Sequence, residues 1–316
     1  MQYAERRVVV IGAGAVGTTY IYSLMDHGLA DEIVLIDIDK KRVEGEVMDL
    51  SHGAPFIPPV RVRGGEYSDC AGANIVVITA GAKQVPGQSR LDLIRKNAAI
   101  VKTICEEIKK VGSEGVIVMV TNPVDTLTQV AIETLGWERG RIIGSGTVLD
   151  TARFRYMLSS HCGIDSRNVH GYILGEHGDS EVAAWSMTTI GGMQIDNYCK
   201  MCGTCDWKDT HQAIAEQVRK SAYHIIDYKG STYYGIGLSL VRISGTILRN
   251  EHSVLTVSSM LKGEYGIDGV CLSVPCVIGE NGIERVIEAK LRENEMSELR
   301  KSAETLREVY LSIKGQ

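Results

Sequence analysis

The sequence predicts an α/β fold, namely a doubly wound parallel (Rossmann) sheet followed by a second, α+β substrate domain. Over residues 1–145, short apolar runs alternate with longer amphipathic stretches, which is typical of βαβ units. From residue 146 onward the alternation stops, and long helical patterns mix with isolated β-type runs. We therefore expect two domains, 1–145 and 146–316.

The strands of the first domain are predicted from apolar runs rich in valine and isoleucine. They are residues 7–11, 32–36, 74–79, 115–120 and 141–143. Continuous apolar runs are typical of parallel strands that helices cover on both faces. Because crossovers between such strands are right-handed, the elements should wind into a Rossmann sheet.

The second domain is predicted to contain longer helices and fewer strands. Helical patterns cover residues 150–160, 209–228, 235–249 and 291–313, and β-type runs cover 169–174 and 270–278. Gly191-Gly192 is expected to form a turn, and Asn281-Gly282 is typical of a β-hairpin.

The composition argues against several classes of protein. The chain has 316 residues, of which 44% are apolar and 23% charged, with a formal net charge of −5 and no dense basic run. Nucleic-acid binding and docking on an anionic membrane therefore have little electrostatic support. The sequence shows no apolar stretch of about 18 residues and no signal-type N-terminus, so we expect a cytoplasmic protein.

Eight cysteines are scattered through the chain, and they are expected to be reduced. The spacing Cys199-x-x-Cys202-x-x-Cys205 is one that metal and cluster sites use. A closed site needs a fourth ligand, and none is identifiable nearby. This favours a surface turn with free thiols, and we expect no metal.

The segment Gly12-Ala13-Gly14-Ala15-Val16-Gly17 matches a dinucleotide-binding fingerprint. Gly12 permits a tight turn, Gly14 lets the backbone approach a pyrophosphate, and Gly17 lets the helix pack closely on the sheet. Asp37 lies 20 residues after Gly17, where its carboxylate can accept from a ribose 2′-hydroxyl and repel a 2′-phosphate. The pattern favours NAD over NADP, and the alternative is a Rossmann-like domain without a bound dinucleotide.

Asp150, Arg153 and His177 form a candidate site for a small 2-hydroxy acid. Asp150 and Arg153 are three residues apart on a predicted helix, so they share a face. Arg153 can bind a carboxylate through two hydrogen bonds, and Asp150 can hold one nitrogen of His177. His177 can then exchange a proton with the substrate oxygen as hydride moves between the substrate and a nicotinamide. The alternatives are a surface ion pair and an ordinary loop histidine.

The loop of residues 81–90 follows a β-type run, at the edge of the sheet where ligands bind in such folds. Its glycines and proline suit a lid that excludes water from the reaction. Arg90 is our candidate for polarising the substrate carbonyl. The alternative is a helix-start arginine that faces solvent.

With these motifs the chain resembles the L-lactate/malate dehydrogenase family over nearly its whole length. The supporting stretches are residues 12–17, 81–93, 121–125, 149–155, 175–180 and 230–236. The likeness is greatest to the bacterial members that interconvert pyruvate and L-lactate with NADH and NAD at the end of anaerobic glycolysis.

The resemblance implies a role for each matched residue. His177 is implied as proton donor and acceptor with Asp150 as its partner. Arg153 is implied as the carboxylate anchor and Arg90 as the loop arginine. The residues implied to contact NAD are Gly12, Gly14, Val16, Gly17, Asp37, Arg42, Tyr67, Gly81, Ala82, Thr103, Asn122, Ser145 and Ile236.

The resemblance also concerns the choice of substrate. Asn122 is implied to lie beside the substrate oxygen, with Asp125 in the same stretch. Gln84 occupies the lid position that reads the substrate, and it offers no charge to the second carboxylate of oxaloacetate. Thr232 limits the room on the same side, so both residues favour pyruvate and lactate.

Three other readings stay open. Larger 2-oxo acids are discriminated by only about 1–3 kcal/mol for each extra methylene. Malate dehydrogenase is the second candidate activity, which Gln84 disfavours. A non-catalytic dinucleotide-binding protein is the third, which the set of acid–base residues disfavours.

Arg155 and His170 match positions that bind fructose 1,6-bisphosphate between subunits in allosteric bacterial members of the family. Arg155 is five residues after Asp150, roughly 140° around a helix, so it is not expected to face the substrate. The resemblance thus implies activation by this sugar bisphosphate and a homotetramer. The alternative is an arginine and a histidine with ordinary interface roles.

Overall fold

Short segments, most of them rich in valine and isoleucine, form six parallel strands in a computed structural model of the chain. The structure describes residues 6–83, 87, 89–203 and 207–314, and of residues 207 and 208 only the backbone. The six strands are β1 (Arg7–Ile11), β2 (Glu32–Ile36), β3 (Arg61–Gly64), β4 (Ile75–Ile78), β5 (Val116–Met119) and β6 (Ile142–Gly144). Their order is β6-β5-β4-β1-β2-β3, so the chain winds outward in both directions from β1 and β4. The predicted Rossmann fold class is confirmed.

The remaining strands lie in the second half of the chain. They are β7 (Val169–His170), β8 (Ile173–Leu174), β9 (Val182–Ala183), β10 (Thr189–Ile190), β11 (Met193–Gln194), β12 (Ser253–Lys262), β13 (Asp268–Gly279) and β14 (Gly282–Val286). The helices of the described residues are α1 (Ala15–Asp26), α2 (Lys40–His52), α3 (Arg90–Lys110), α4 (Val124–Leu135), α5 (Val148–Cys162), α6 (Ile195–Cys202), α7 (Trp207–Lys229), α8 (Tyr234–Leu248) and α9 (Glu293–Leu311). None of these helices is both long and apolar enough to span a membrane.

Helices cover both faces of the central parallel strands, which explains why the interior positions of these strands are apolar. Val8 and Val10 of β1 belong to a core cluster shared with α1 and α8. Val9 and Ile11 point the other way, into a second cluster shared with α3 and α4. Because every side chain of such a strand enters a core, alternation between apolar and polar residues disappears.

The sheet as a whole is mixed, because antiparallel strands of the second half of the chain extend the predicted parallel part. The antiparallel strands β12, β13 and β14 continue it beyond β6, where Ser258 pairs with Gly144. One sheet therefore runs through both halves of the chain within the described residues. The division into domains at residue 145 stays a prediction.

Several elements differ from the sequence prediction, among them β3, β12 and the segment of residues 169–174. The chain has a sixth parallel strand, β3, whose sequence Arg-Val-Arg-Gly is too polar to be found from its hydrophobicity. It also has the strand β12, which was not predicted. The single strand expected over residues 169–174 is two, because β7 pairs with β10 while β8 pairs with β9. Gly171 lies between them, where a Cβ atom would stand 2.6 Å from the ring of Phe154.

Candidate active site

The turn between β1 and α1 forms the base of the predicted dinucleotide site. Gly12 has a φ of +119°, and a Cβ atom there would lie 2.6 Å from the backbone nitrogen of Ala80. A Cβ atom on Gly17 would lie 2.1 Å from the carbonyl oxygen of Gly12. Both positions therefore require glycine for packing. Gly14 precedes the first turn of α1, with nothing within 4 Å of the place where its Cβ atom would be, so this side of the turn is open.

A cavity of about 700 Å³ lies at the carboxyl ends of β1, β2 and β4, beside this turn. Of the residues predicted to contact NAD, the ones that line it are Gly12, Gly14, Asp37, Arg42, Tyr67, Gly81, Ala82 and Thr103. The other five, namely Val16, Gly17, Asn122, Ser145 and Ile236, do not line this cavity. A volume of this order is within the range of ligand and cofactor pockets.

Asp37 is held in place by two backbone groups at the end of β2. Its Oδ2 accepts a hydrogen bond from the nitrogen of Ala13 at 2.7 Å, and its Oδ1 accepts one from the nitrogen of Asp39 at 3.0 Å. Each carboxylate oxygen retains capacity for a further hydrogen bond. The carboxylate is therefore oriented towards the cavity with free lone pairs, and these fit the two hydroxyls of a ribose.

Asp150 joins the other two members of the predicted substrate site. It lies in the first turn of α5, and its side chain is 3% exposed. Asp150 Oδ2 is 2.5 Å from His177 Nδ1, and Asp150 Oδ1 accepts from Arg153 Nη1 at 2.8 Å. One buried carboxylate thus contacts both the imidazole and the guanidinium.

The charge of Asp150 controls the protonation of His177. Burial by itself would lower the pKa of His177, but the charge and hydrogen bond of Asp150 outweigh it and raise the pKa to about 9. Burial opposes ionisation of Asp150 as well, yet His177 and Arg153 together hold the pKa of its carboxyl below the usual value. The pair therefore rests as an imidazolium beside a carboxylate at neutral pH.

A hairpin brings His177 to this position. Strands β8 and β9 pair antiparallel and present residues 175–181 as the loop between them. Gly175 has a φ of +88°, and the nitrogen of Glu176 donates to Ser302 Oγ of α9 at 2.8 Å. The nitrogen of His177 donates to Asp125 Oδ2 at 2.8 Å. The histidine backbone is thus fixed from two sides.

Two buried carboxyl groups beside this cluster have displaced pKa values. Burial raises the pKa of Asp125 to about 6. Burial and the charge of Asp150 raise the pKa of Glu181 to about 8. Within the described residues, neither Asp125 Oδ1 nor Glu181 Oε1 has a hydrogen-bond partner. Glu181 was not predicted from the sequence, and its place four residues after His177 was the only signal.

Arg90 and Asn122, the predicted loop arginine and the predicted neighbour of the substrate oxygen, are both exposed. Arg90 is the exposed first residue of α3. The hydrogen bond from Tyr223 to Asp179, 2.8 Å long, raises the pKa of Tyr223, and the charge of Arg90 opposes this rise. Arg90 therefore lies near the loop that carries His177 and Asp179. Asn122 follows β5, and its side chain is exposed.

Other predicted residues are less closely grouped. Ser145 is buried after β6, where its nitrogen donates to the carbonyl of Met119 at 2.8 Å. Thr232 and Ile236 are half-buried at the start of α8. Gln84, the predicted reader of the substrate, lies outside the described residues.

Arg155 and His170, the predicted effector residues, line one cavity of about 510 Å³. Asp150, Arg153 and His177 do not line it. Arg155 Nη2 donates to the carbonyl of Ser166 at 3.3 Å, and His170 is exposed.

The cysteine-rich segment spans the end of α6. Cys199 is buried and Cys202 half-buried, whereas Cys205 lies outside the described residues. Among the residues that the structure describes, no group of three or more histidine, cysteine or acidic side chains is placed to hold a metal ion. The expectation that the protein binds no metal stays a prediction.

Comparison with known proteins identifies the family. The model of the lactate/malate dehydrogenase NAD-binding domain matches residues 6–144, and that of the α/β C-terminal domain matches residues 147–314. The chain belongs to the lactate/malate dehydrogenase family. Membership makes it an NAD-dependent oxidoreductase, in agreement with the fingerprint at the start of α1.

Relatives match the chain from end to end. The L-lactate dehydrogenase of Treponema denticola is 55% identical over 99% of this chain and 100% of the relative. That of Acetivibrio thermocellus is 52% identical over 98% of this chain and 97% of the relative. The crystal structure of a minor L-lactate dehydrogenase from Enterococcus mundtii in its ligand-bound form superposes with a TM-score of 0.96 at 42% identity, covering 99% of this chain and 100% of that one.

Proposed function

We propose that this protein is an NAD-dependent L-lactate dehydrogenase, which reduces pyruvate to L-lactate and runs the reverse reaction. The observation that carries the proposal is the contact of Asp150 with both His177 and Arg153. A proton donor and a carboxylate anchor that one buried carboxylate holds together suit the binding and reduction of a small 2-oxo acid. Full-length relatives named L-lactate dehydrogenase support the same assignment.

The proposed chemistry uses His177 as the acid. Its Nδ1 is engaged by Asp150, so Nε2 is the nitrogen that passes a proton to the keto oxygen of pyruvate. When bound, NADH supplies the hydride that the carbonyl carbon accepts. The resulting imidazole is neutral, and Asp150 keeps it in the tautomer with the proton on Nδ1. In lactate oxidation the same nitrogen takes the proton back.

Arg153 anchors the substrate in this proposal. It uses one N–H group on Asp150, and a guanidinium has five N–H donors in all. The remaining ones can bind the substrate carboxylate in a two-bond contact. Arg90 polarises the carbonyl from the lid, and Asn122 lies on the side of the same oxygen.

The cofactor is held by the cavity beside α1. The open side of Gly14 and the N-terminus of α1 suit the pyrophosphate, because helix N-termini attract anions. Asp37 accepts from the ribose hydroxyls and repels the extra phosphate of NADP.

Pyruvate is proposed over oxaloacetate because Gln84 offers a second carboxylate no cation and Thr232 limits the room on the same side. We also propose that the protein works as a cytoplasmic homotetramer activated by fructose 1,6-bisphosphate. The cavity that Arg155 and His170 share supports the effector, since a cation and an imidazole can bind a phosphate together.

One assay tests the activity. NADH oxidation is followed at fixed enzyme concentration with pyruvate and with oxaloacetate. We expect kcat/KM to be at least about a hundredfold higher for pyruvate, because a buried, unpaired carboxylate costs several kcal/mol. His177→Ala should lose about a thousandfold or more in kcat while NADH still binds. A preference for oxaloacetate would overturn the lactate assignment in favour of malate.

A further inference from the structure

Asn97 is a buried amide on α3 that the proposed mechanism does not use. Its side chain is 3% exposed, and it lies seven residues after Arg90, about two helical turns along the same face. A buried amide is costly unless both its donor and its acceptor are satisfied. The partners of its hydrogen bonds therefore indicate the role of Asn97.

Both polar atoms of Asn97 bind backbone in loops of the candidate site. Asn97 Oδ1 accepts from the nitrogen of Ala82 at 2.8 Å, and Asn97 Nδ2 donates to the carbonyl of Asn122 at 3.0 Å. An N–H can only donate and a carbonyl can only accept, so these partners fix the orientation of the amide. The side chain of Asn97 thus joins Ala82, at the start of the predicted lid, to Asn122, which is predicted to lie beside the substrate oxygen.

The two loops also contact each other directly. They follow the neighbouring parallel strands β4 and β5, and Thr121 Oγ1 donates to the carbonyl of Ala80 at 2.8 Å. A Cβ atom on Gly81 would lie 2.5 Å from Thr121 Cγ2, so a side chain at position 81 would push the two loops apart. Asn97 of α3 forms a further link between the two loops through its hydrogen bonds to Ala82 and Asn122.

The same hydrogen bond attaches the start of the predicted lid to the helix that follows it. The loop begins at Gly81 and Ala82 and ends at Arg90, the first residue of α3. Since Asn97 lies on that helix and binds Ala82, both ends of the loop are attached to α3. Small displacements of either end would misplace groups that must meet the substrate within a few tenths of an ångström.

We propose that Asn97 is a positioning residue, whose amide orients the Gly81–Ala82 backbone and the Asn122 backbone for binding of the cofactor and of the 2-oxo acid. The proposal rests on the proposed function for its substrate half. Its cofactor half stands on the cavity that Gly81 and Ala82 line.

Two variants test it. Asn97→Ala removes both hydrogen bonds, and we expect kcat/KM for pyruvate to fall about tenfold to a hundredfold and the NADH dissociation constant to rise about tenfold. Asn97→Asp keeps the shape of the side chain. Its protonated form still accepts from Ala82 and donates to Asn122, whereas its ionised form places an oxygen anion against a carbonyl.

The Asn97→Asp enzyme should therefore show a deficit that depends on pH. Relative to the unsubstituted enzyme, kcat/KM should be within about threefold at pH 6 and reduced at least about tenfold at pH 9. The Asn97→Ala deficit should be the same at both pH values. A role in stability alone would lower the melting temperature without this difference between the two variants.

Asn74 supplies the matched control. Its Oδ1 accepts from the nitrogen of Arg7 at 2.8 Å, at the opposite end of β4. Asn74→Asp and Asn74→Ala should therefore retain both constants within about twofold at pH 6 and pH 9. The proposal is overturned if the Asn97 variants keep both constants within twofold, or if Asn97→Asp loses activity equally at both pH values. If the unsubstituted enzyme fails to reduce pyruvate, the proposed function fails, and NADH binding alone decides the role of Asn97.

Discussion

At the scale of single residues, the proton on His177 should set the pH dependence of the reaction. The pKa of this imidazole is raised to about 9, mainly through Asp150 against the effect of burial. Pyruvate reduction needs the protonated form. Its kcat/KM should therefore be constant below about pH 8 and fall about tenfold per pH unit above pH 9, while lactate oxidation follows the opposite trend. Steady-state rates in both directions from pH 6 to 10 measure the two limbs.

Removing the charge at position 150 should displace that profile. Asp150→Asn takes away the interaction that raises the pKa, so burial should dominate and the midpoint should move down by more than about two pH units, below the ordinary value for histidine. The exposed carboxylate of Asp165 supplies the control, and Asp165→Asn should leave the midpoint where it is. An unchanged midpoint in the Asp150→Asn enzyme would show that another group supplies the proton.

The residues of the site differ in how far a sequence can predict them. Asp150 and Arg153 are neighbours on one helix, so local spacing was enough to place them together. His177 is 27 residues away, and its contact with Asp150 was inferred from its chemical type and from the family resemblance. Asn97 and Glu181 carried no motif at all, because their importance comes from tertiary contacts and burial.

At the scale of elements, the start of α9 should control both stability and the histidine loop. Glu295 is 2% exposed and accepts from the nitrogen of Ser186 at 2.9 Å and that of Arg292 at 3.0 Å. Ser302, seven residues later on the same face, accepts from the nitrogen of Glu176. Docking of the helix therefore holds the loop that carries the proposed catalytic imidazole of His177.

Glu295→Gln should destabilise the protein by about 1–3 kcal/mol, because an amide cannot accept at both oxygen positions and a part-buried donor loses its partner. Denaturant unfolding at a single protein concentration measures the change. Glu298→Gln, on the exposed face of the same helix, should change the free energy of unfolding by less than about 0.5 kcal/mol. Equal effects of the two substitutions would contradict the role given to Glu295.

The elements that the sequence predicted well are those whose environment is uniform. Strands β1 and β2 were placed to the residue, since every one of their side chains is apolar or at a strand end. Strand β3 lies at the edge of the sheet, where its polar residues look like a loop. The split between β7 and β8 depends on which strand lies alongside each, and local hydrophobicity holds no information on pairing.

At the scale of the whole molecule, helix α5 connects the candidate active site with a second cavity, separate from the predicted dinucleotide cavity. Asp150 and Arg153 lie at the candidate active site, while Arg155 lies in the cavity that it shares with His170. That second cavity also includes Leu238 and Val254, which are 54% and 38% exposed. Exposed apolar side chains around a basic residue suit contact with another subunit. A ligand there that prefers one arrangement of α5 must be coupled to the substrate by linkage.

Fructose 1,6-bisphosphate should therefore lower the pyruvate concentration for half-maximal rate, by about five- to a hundredfold if the coupling is of ordinary size. The response should be lost in Arg155→Gln and in His170→Gln, because each removes a group that can bind a phosphate. It should be retained in Arg167→Gln, whose arginine is exposed nearby and paired with Asp165. Initial rates with and without the effector, together with the mass of the assembly from light scattering, give both readouts. If the protein is a tetramer and its half-saturating pyruvate concentration does not change with the sugar bisphosphate, Arg155 and His170 are interface residues only. If the protein is a monomer at the assay concentration, the effector site between subunits has no physical basis.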